Sequence, residues 1–324
     1  MIRNHKMAQE QPLHRIKCII VSKMFFLDGK TKSQIAEETG MSRFKVARLI
    51  NDAIESKLVT FTIAEQTDID PTLSNKLCQK FKLQNVIVQS NSYGINDPQM
   101  SLNEKLGRLA ASYLEESLEM NMKIGIAWGK VLCSTARSLK TLPPLEVVQT
   151  TGAYPNIDFE QNSIGLVQRI AKVSKGKAYP IYLPMWVEDK ETAKQLRMQT
   201  GVSEVRKKFD DLDVLITGIG SWTTPSSCMY TALPQQWKDN LFKKDVCADI
   251  CTIPLDKKGN VLTSPLDDLG FGITVKQVKK VPQVIAVAGG IHKFDAILAT
   301  LKSGLITTLI TDAENATMLL EHKS

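Results

Sequence analysis

Residues 31–54 read TKSQIAEETGMSRFKVARLINDAI, two short helical patterns joined at Thr39-Gly40-Met41-Ser42. Thr31 or Ser33 can cap the first pattern, which carries Ile35 and Ala36. Gly40 ends it, because glycine takes the left-handed conformation without steric cost. Ser42 is then placed to cap the second pattern. At about 100° per residue, Val46, Ala47, Leu49, Ile50, Ala53 and Ile54 gather on one side of that helix. Phe44, Lys45, Arg48, Asn51 and Asp52 fall on the other side or its flanks, and Arg43 stands at the N-terminal end. A helix with an apolar back and a basic front can enter the major groove of duplex DNA, where Arg and Lys meet guanine acceptors or phosphates.

Upstream, Ile16, Ile19, Ile20, Met24 and Leu27 recur at helical spacing and stop at Asp28-Gly29. The three segments together predict a helix-turn-helix. A plain helical hairpin with a solvated charged face is the alternative, but spacing, caps and local charge agree on the first reading. The DNA-facing candidates are Ser33, Ser42, Arg43, Phe44, Lys45 and Arg48. Phe44 either touches thymine methyls or packs on the neighbouring helix. VTFTIAEQ (59–66) alternates as a strand would and reads as a wing or exit segment, so the fold is expected to be winged-helix-like. The expected domains are 1–62 and 63–324.

Bulk properties fit this division. The chain has 324 residues and 43% hydrophobic content, enough for two cores. Residues 1–60 hold eleven Lys/Arg against six Asp/Glu and so carry +5 of the net +7, leaving a near-neutral body. A basic end on such a body suits a polyanion partner. Six cysteines are scattered, apart from Cys247 and Cys251, and the four histidines lie far apart. Zinc sites usually need two ligand pairs, so no metal site is expected, and buried thiols explain the cysteines. With neither a secretory segment nor an apolar run of membrane-spanning length, a cytoplasmic protein is expected.

Beyond residue 75, short Val/Ile-rich runs alternate with amphipathic helices: 85–90, 122–128, 145–152, 177–183, 213–220, 283–290 and 306–312 read as strands. This predicts an α/β body with a doubly wound, mostly parallel sheet. CTIPLDKKGNVL (251–262) reads as a hairpin insertion. Several strands end in small or polar residues: GIAWGK, QTTGAYPN, GIG, AVAGGIHK and LITD. Ligands of open parallel sheets bind at such carboxyl ends. Gly289-Gly290 with Lys293 three residues on sets an ammonium beside amide groups at a helix start, as an anionic ligand requires.

LDGKTKSQIAEETGMSRFKVARLINDAIESKLV, GIAWGK, GIGSW, AVAGGIHKFDAILATLKSG and LITDAENATMLL, in that order, resemble the SorC family of bacterial sugar-responsive transcriptional regulators. The likeness runs from about residue 13 to 320. It implies a helix-turn-helix joined to an effector domain related in fold to sugar-phosphate isomerases and deaminases. It also implies three partners: double-stranded operator DNA, a phosphorylated sugar or polyol, and further copies of the chain in a homo-oligomer, typically a tetramer. No cofactor and no membrane partner are implied.

By resemblance the effector site comprises Gly125, Trp128, Gly129 and Lys130, with Thr151 and Gly152, Gly218 and Gly220, Asp249 and Lys293. Asp312 is a weaker candidate, and Gly289 and Gly290 join from the reading above. Val131, Ala153 and Ala248 depart from the family's usual residues and alter the floor of the pocket. Each candidate also has a plainer role: Trp128 as a core aromatic, Asp249 in a turn, Lys293 as a solvated helix-start residue, and Asp312 as an N-cap. A sugar-phosphate isomerase or deaminase is the alternative function, but no histidine–carboxylate motif stands out at the strand ends to act as a general base.

Overall fold

The computed structural model describes residues 12–61, 68–90, 100–153, 163–224 and 226–322. The chain divides into two compact units, Met1–Glu65 and Gln66–Ser324. The boundary expected at 62/63 falls within residues 62–67, outside the described residues.

The N-terminal unit holds α1 (Pro12–Phe26), α2 (Lys32–Thr39) and α3 (Arg43–Glu55). Cys18, Val21, Ile35, Val46, Leu49, Ile50 and Ala53 form its core. The inward stripe of α1 therefore runs through Cys18, Val21 and Ser22, not through the isoleucines that the spacing singled out. Leu13 (70% exposed) and Leu27 (76%) stand outside, with Ile16 and Ile20. The reason is that α1 is apolar nearly all round, and only one of its sides can meet α3. On α3, Ile54 is likewise exposed rather than part of the buried back. Residues 59–61 form no strand, and the rest of the expected wing lies outside the described residues.

The larger unit runs α4 (Pro71–Phe81), β1 (Asn85–Gln89), α5 (Leu102–Ser117), β2 (Lys123–Ile126), α6 (Lys130–Ser138), β3 (Glu146–Gln149), α7 (Ser163–Ser174) and β4 (Lys177–Tyr179). It continues through α8 (Lys190–Met198), α9 (Thr200–Lys207), β5 (Val214–Gly218), β6 (Gly220–Ser221), α10 (Cys228–Ala232), α11 (Gln235–Phe242), β7 (Val246–Ile250) and β8 (Ile253–Asp256). It ends with α12 (Leu266–Leu269), α13 (Val275–Val278), β9 (Gln283–Val287), α14 (Phe294–Ser303), β10 (Thr308–Asp312) and α15 (Ala313–Glu321).

Seven strands form one parallel sheet in the order β1-β10-β9-β5-β2-β3-β4. The Val/Ile runs of the five inner strands are buried along almost their whole length, as strands covered on both faces require. From β2 the chain first winds outward through β3 and β4. It then returns to β2's other side with β5 and continues to β9 and β10. Such a reversal opens a crevice at the carboxyl ends of the two flanking strands. Here that places it after β2 and β5.

A second sheet, β6-β7-β8, is antiparallel. The hairpin expected within 251–262 is present, β8 returning through a turn at Gly259 (φ 84°) so that Leu255 bridges Val261 antiparallel. β7 adds a strand upstream by pairing with β8 across Cys251-Thr252, both in the left-handed region (φ 49° and 67°). VCADI was not legible as a strand because a polar aspartate interrupts a run of only five residues. β7 is buried throughout, and it carries Asp249 into the interior.

Candidate DNA and effector sites

Thr31, not Ser33, caps α2. Its Oγ1 accepts from the Gln34 N–H (3.3 Å) while its own N–H donates to Gln34 Oε1 (2.9 Å), closing a capping box. Gly40 ends the helix at φ 65°, and its N–H donates to the Ala36 carbonyl. Ser42 Oγ then accepts from the Lys45 N–H at 3.3 Å, starting α3. These caps fix the turn, and the buried stripe Val46, Leu49, Ile50 and Ala53 fixes which side of α3 faces outward. Ser33, Ser42, Arg43, Phe44, Lys45 and Arg48 are all exposed. Phe44 is 90% exposed, so it does not pack on a neighbouring helix. Arg48 Nε stands 3.9 Å from Asp52 Oδ2, one turn on, a long contact that leaves the guanidinium in solvent.

In the larger unit the crevice after β2 and β5 gathers part of the expected set. Gly129 precedes α6 with no side-chain cap, and nothing lies within 4 Å of where its Cβ would stand. Lys130 is exposed at the first position of that helix. Gly218 ends β5 and borders Val131, one of the family departures, 3.8 Å from a Cβ built on the glycine.

Gly220 stands opposite Asp249 in the β6–β7 register. A Cβ on Gly220 would lie 2.3 Å from Asp249 Oδ1 and 2.7 Å from Ser227 Oγ. Glycine is needed there because the carboxylate comes so close. Asp249 Oδ1 accepts from Trp222 Nε1 at 2.8 Å and from Ser227 Oγ in a short bond. Both bonds fall on Oδ1, so Oδ2 is the oxygen with capacity for a ligand hydroxyl. Burial pushes this carboxyl above its ordinary value, while the bonds from Ser227 and Trp222 and the charge of Lys293 pull the other way.

Lys293 closes a short 3-10 turn before α14 and is half-buried, not a solvated helix-start residue. Its Nζ donates to the Ile219 carbonyl at 2.6 Å, reaching back to the β5–β6 loop. Burial pulls its ammonium below the usual lysine value. Asp249 and Cys228 oppose that shift, and Lys130 adds to it. The Cys228 thiol, under the influence of the same charged groups, is pushed up to about 12 by burial and by Asp249. Two lysines, one carboxylate and the bare start of α6 thus share one crevice.

Other expected residues serve elsewhere. A Cβ on Gly125 would strike Leu212 Cδ1 at 2.7 Å and Thr150 Cγ2 at 2.8 Å, so Gly125 is a packing position inside the sheet. Gly152 lets the Pro184 carbonyl approach, 2.2 Å from where a Cβ would be. Thr151 is buried, and its carbonyl accepts from Gln149 Nε2 at 2.7 Å. Trp128 is partly buried and packs against the main core.

Gly290 has φ 93°, and its N–H donates to Asp312 Oδ2 at 2.7 Å. Gly289 leaves room for that same oxygen, 2.4 Å from its would-be Cβ. Asp312 also caps α15 through the Asn315 N–H (2.9 Å) and accepts from Asn315 Nδ2 (2.9 Å). Asp312 is therefore the N-cap that binds the Gly289-Gly290 turn to α15. A depression of about 700 Å³, lined in part by Gln89, Leu102, Lys105 and Ile291, opens beside it.

The sequence reading passed over Trp222, Ser227 and Cys228. GIGSW contains Trp222, so a search for donors to the buried aspartate had that one cue. Ser227 and Cys228 follow no motif.

Comparisons with known proteins agree with this fold. The sugar-binding domain family profile matches residues 68–321. The sorbitol operon regulator of Klebsiella pneumoniae is 23% identical over 306 residues, covering 93% of this chain and 96% of that protein. The transcriptional regulator LsrR of Escherichia coli is 25% identical over 324 residues, covering 99% and 98%. The crystal structure of the full-length Klebsiella regulator superposes with a TM-score of 0.72 at 22% identity, covering 96% of this chain and all of that one.

Proposed function

The chain belongs to the SorC family of sugar-binding transcriptional regulators, and on that premise we propose that its larger unit takes a phosphorylated sugar or polyol and thereby sets operator binding by its N-terminal unit. It is a regulator and not an enzyme, as are its relatives and structural neighbours. The observation that carries the effector reading is the half-buried Lys293 held at the Ile219 carbonyl beside Asp249 and Lys130. A phosphate supplies the anion that offsets two ammonium groups, and it meets the uncapped amides at Gly129 and Lys130. Asp249 accepts from sugar hydroxyls through Oδ2, Gly220 leaves the room that this carboxylate needs, and Gly218 lets the ligand approach the backbone.

Ser42, Arg43, Phe44, Lys45 and Arg48, with Ser33 on the preceding helix, face the duplex. Their exposure and the positive charge of the region support this role. The chain acts as a homo-oligomer, a tetramer by family resemblance, that presents paired helix-turn-helix units to operator half-sites. Supporting this is the exposed stripe Leu13, Ile16 and Ile20 on α1, with Leu27 just past its end. A DNA partner places the protein in the cytoplasm, and no helix among the described residues is long and apolar enough to cross a membrane. The effector acts through its different affinity for the DNA-competent and incompetent arrangements.

The test is fluorescence anisotropy with duplexes from upstream of its own gene, titrated with a panel of sugar and polyol phosphates. One compound shifting the operator affinity, with its unphosphorylated parent inert, is the expected result. No binding of any duplex at low salt would overturn the reading.

A further inference from the structure

The packing of α1 on α3 brings together three side chains that the proposed function does not use. His14 and Cys18 lie four residues apart on α1, so they share one side of that helix. Asp52 meets them from α3. His14 Nε2 is 3.6 Å from Cys18 Sγ and 3.3 Å from Asp52 Oδ2. One ligand atom from each of the three residues fits within a 4.8 Å span.

Zinc bonds of about 2.3 Å to sulfur and about 2.0–2.1 Å to nitrogen and oxygen, at tetrahedral angles, set N and S ligands roughly 3.6 Å apart and N and O ligands roughly 3.3 Å apart. Both edges that involve His14 already have these lengths. Cys18 is buried in the core of the unit, whereas His14 and Asp52 reach the surface. Two edges of a three-ligand face are thus set, the third, from Cys18 to Asp52, lies within the 4.8 Å span, and the fourth position is left to the water side.

We propose that His14, Cys18 and Asp52 form a transition-metal site of the Zn²⁺ class that ties α1 to the DNA-facing helix α3. The mixed nitrogen, sulfur and carboxylate donors suit Zn²⁺ over Mg²⁺ or Ca²⁺, which prefer all-oxygen shells. Binding displaces the thiol proton and forms the sulfur–metal bond, so the step involves no redox change. It also takes Asp52 Oδ2, the atom that stands 3.9 Å from Arg48 Nε, and so frees Arg48 from its only acidic neighbour one turn away.

The experiment is a Co²⁺ titration of the untagged, chelator-stripped full-length chain, followed by optical absorption and then by Zn²⁺ competition. Expected are one Co²⁺ per chain, tetrahedral visible bands with a sulfur-to-cobalt charge-transfer band, and loss of all of these on adding Zn²⁺. Zn²⁺ should also raise the melting temperature of the N-terminal unit, because a metal bound only by the folded state stabilises it by mass action.

His14→Gln sits on an exposed position, leaves the core intact, and should abolish the bands and the Zn²⁺-dependent melting shift. Asp52→Asn should weaken binding, and Cys78→Ser should change nothing. A chain that binds no stoichiometric Co²⁺, or a His14→Gln variant with the spectrum unaltered, would overturn the proposal. None of these readouts needs operator or effector, so the result stands apart from the test of the proposed function.

Discussion

Arg48 on α3 and Lys293 ahead of α14 are the two cations that the proposed function sets against anions, yet they stand in opposite surroundings. Arg48 keeps its guanidinium in water, with Asp52 at 3.9 Å. Lys293 has lost much of its hydration and holds a carbonyl at 2.6 Å, with Asp249 and Lys130 close enough to shift its charge balance. A solvated cation gains affinity for a polyanion largely by releasing counterions, so its contribution fades as salt rises. A desolvated cation is poorly screened and depends on its immediate partners. In the proposed reading, one molecule therefore meets a long anion weakly at many points and a small anion strongly at one.

Removing the buried cation is the severest way to test that contrast. Lys293→Ala should weaken sugar-phosphate binding by about 2–5 kcal/mol, because truncation leaves the ligand anion without its desolvated partner. Calorimetry measures this, and operator affinity without effector should be unchanged. Equal losses of both would dissolve the distinction between the two regions. The pH dependence sharpens it further. Since burial lowers Lys293, effector affinity should fall as pH rises through a value below the ordinary lysine value of 10.5, where the ammonium is lost.

Gly220→Ala comes next. The added methyl would sit 2.3 Å from Asp249 Oδ1, forcing the carboxylate from Ser227 and Trp222. Overpacking of this kind should cost about 1–3 kcal/mol of stability in the larger unit, read as a lowered denaturant midpoint. The midpoint of the N-terminal unit should stay where it is. On the solvated side, Arg48→Ala should weaken operator binding by about 1–3 kcal/mol where the arginine reads a base edge. A phosphate contact alone would instead lower the salt slope by about 1. Effector binding should not move in either case.

The same contrast explains what was legible before any coordinates. The caps Ser42 and Gly40 and the basic front of α3 were readable because exposed charge and helical period leave direct marks in sequence. The seven-strand sheet was readable for a similar reason, as buried parallel strands are continuous apolar runs. The effector crevice was legible in part from the glycine-rich strand ends and Lys293, and in part only through family likeness. Lys293, Lys130, Gly218 and Gly220 come together. Gly125 and Gly152 prove to be glycines because neighbouring groups crowd them, and Gly289 and Gly290 because Asp312 needs the space and the bond.

What makes Asp249 special is its two donors, Trp222 and Ser227, each more than twenty residues away in sequence. No local spacing encodes such a partnership. The outward stripe of α1 failed for the converse reason: its apolar residues surround the helix, and periodicity alone does not choose the side that α3 covers.

Phe44 gives the smallest expected effect and the cleanest separation of packing from recognition. At 90% exposure its ring contributes almost nothing to the folded unit. Phe44→Ala should therefore leave thermal stability within about 0.5 kcal/mol of the parent. A core or inter-helix role would cost several times that, and the melting temperature decides between them. Operator affinity then becomes an independent readout. A ring resting on thymine methyls should lose affinity only for duplexes that carry those thymines, and uracil in their place should reproduce the loss with the parent protein. The same deficit on every duplex would make Phe44 a non-specific contact and leave sequence reading to the arginines.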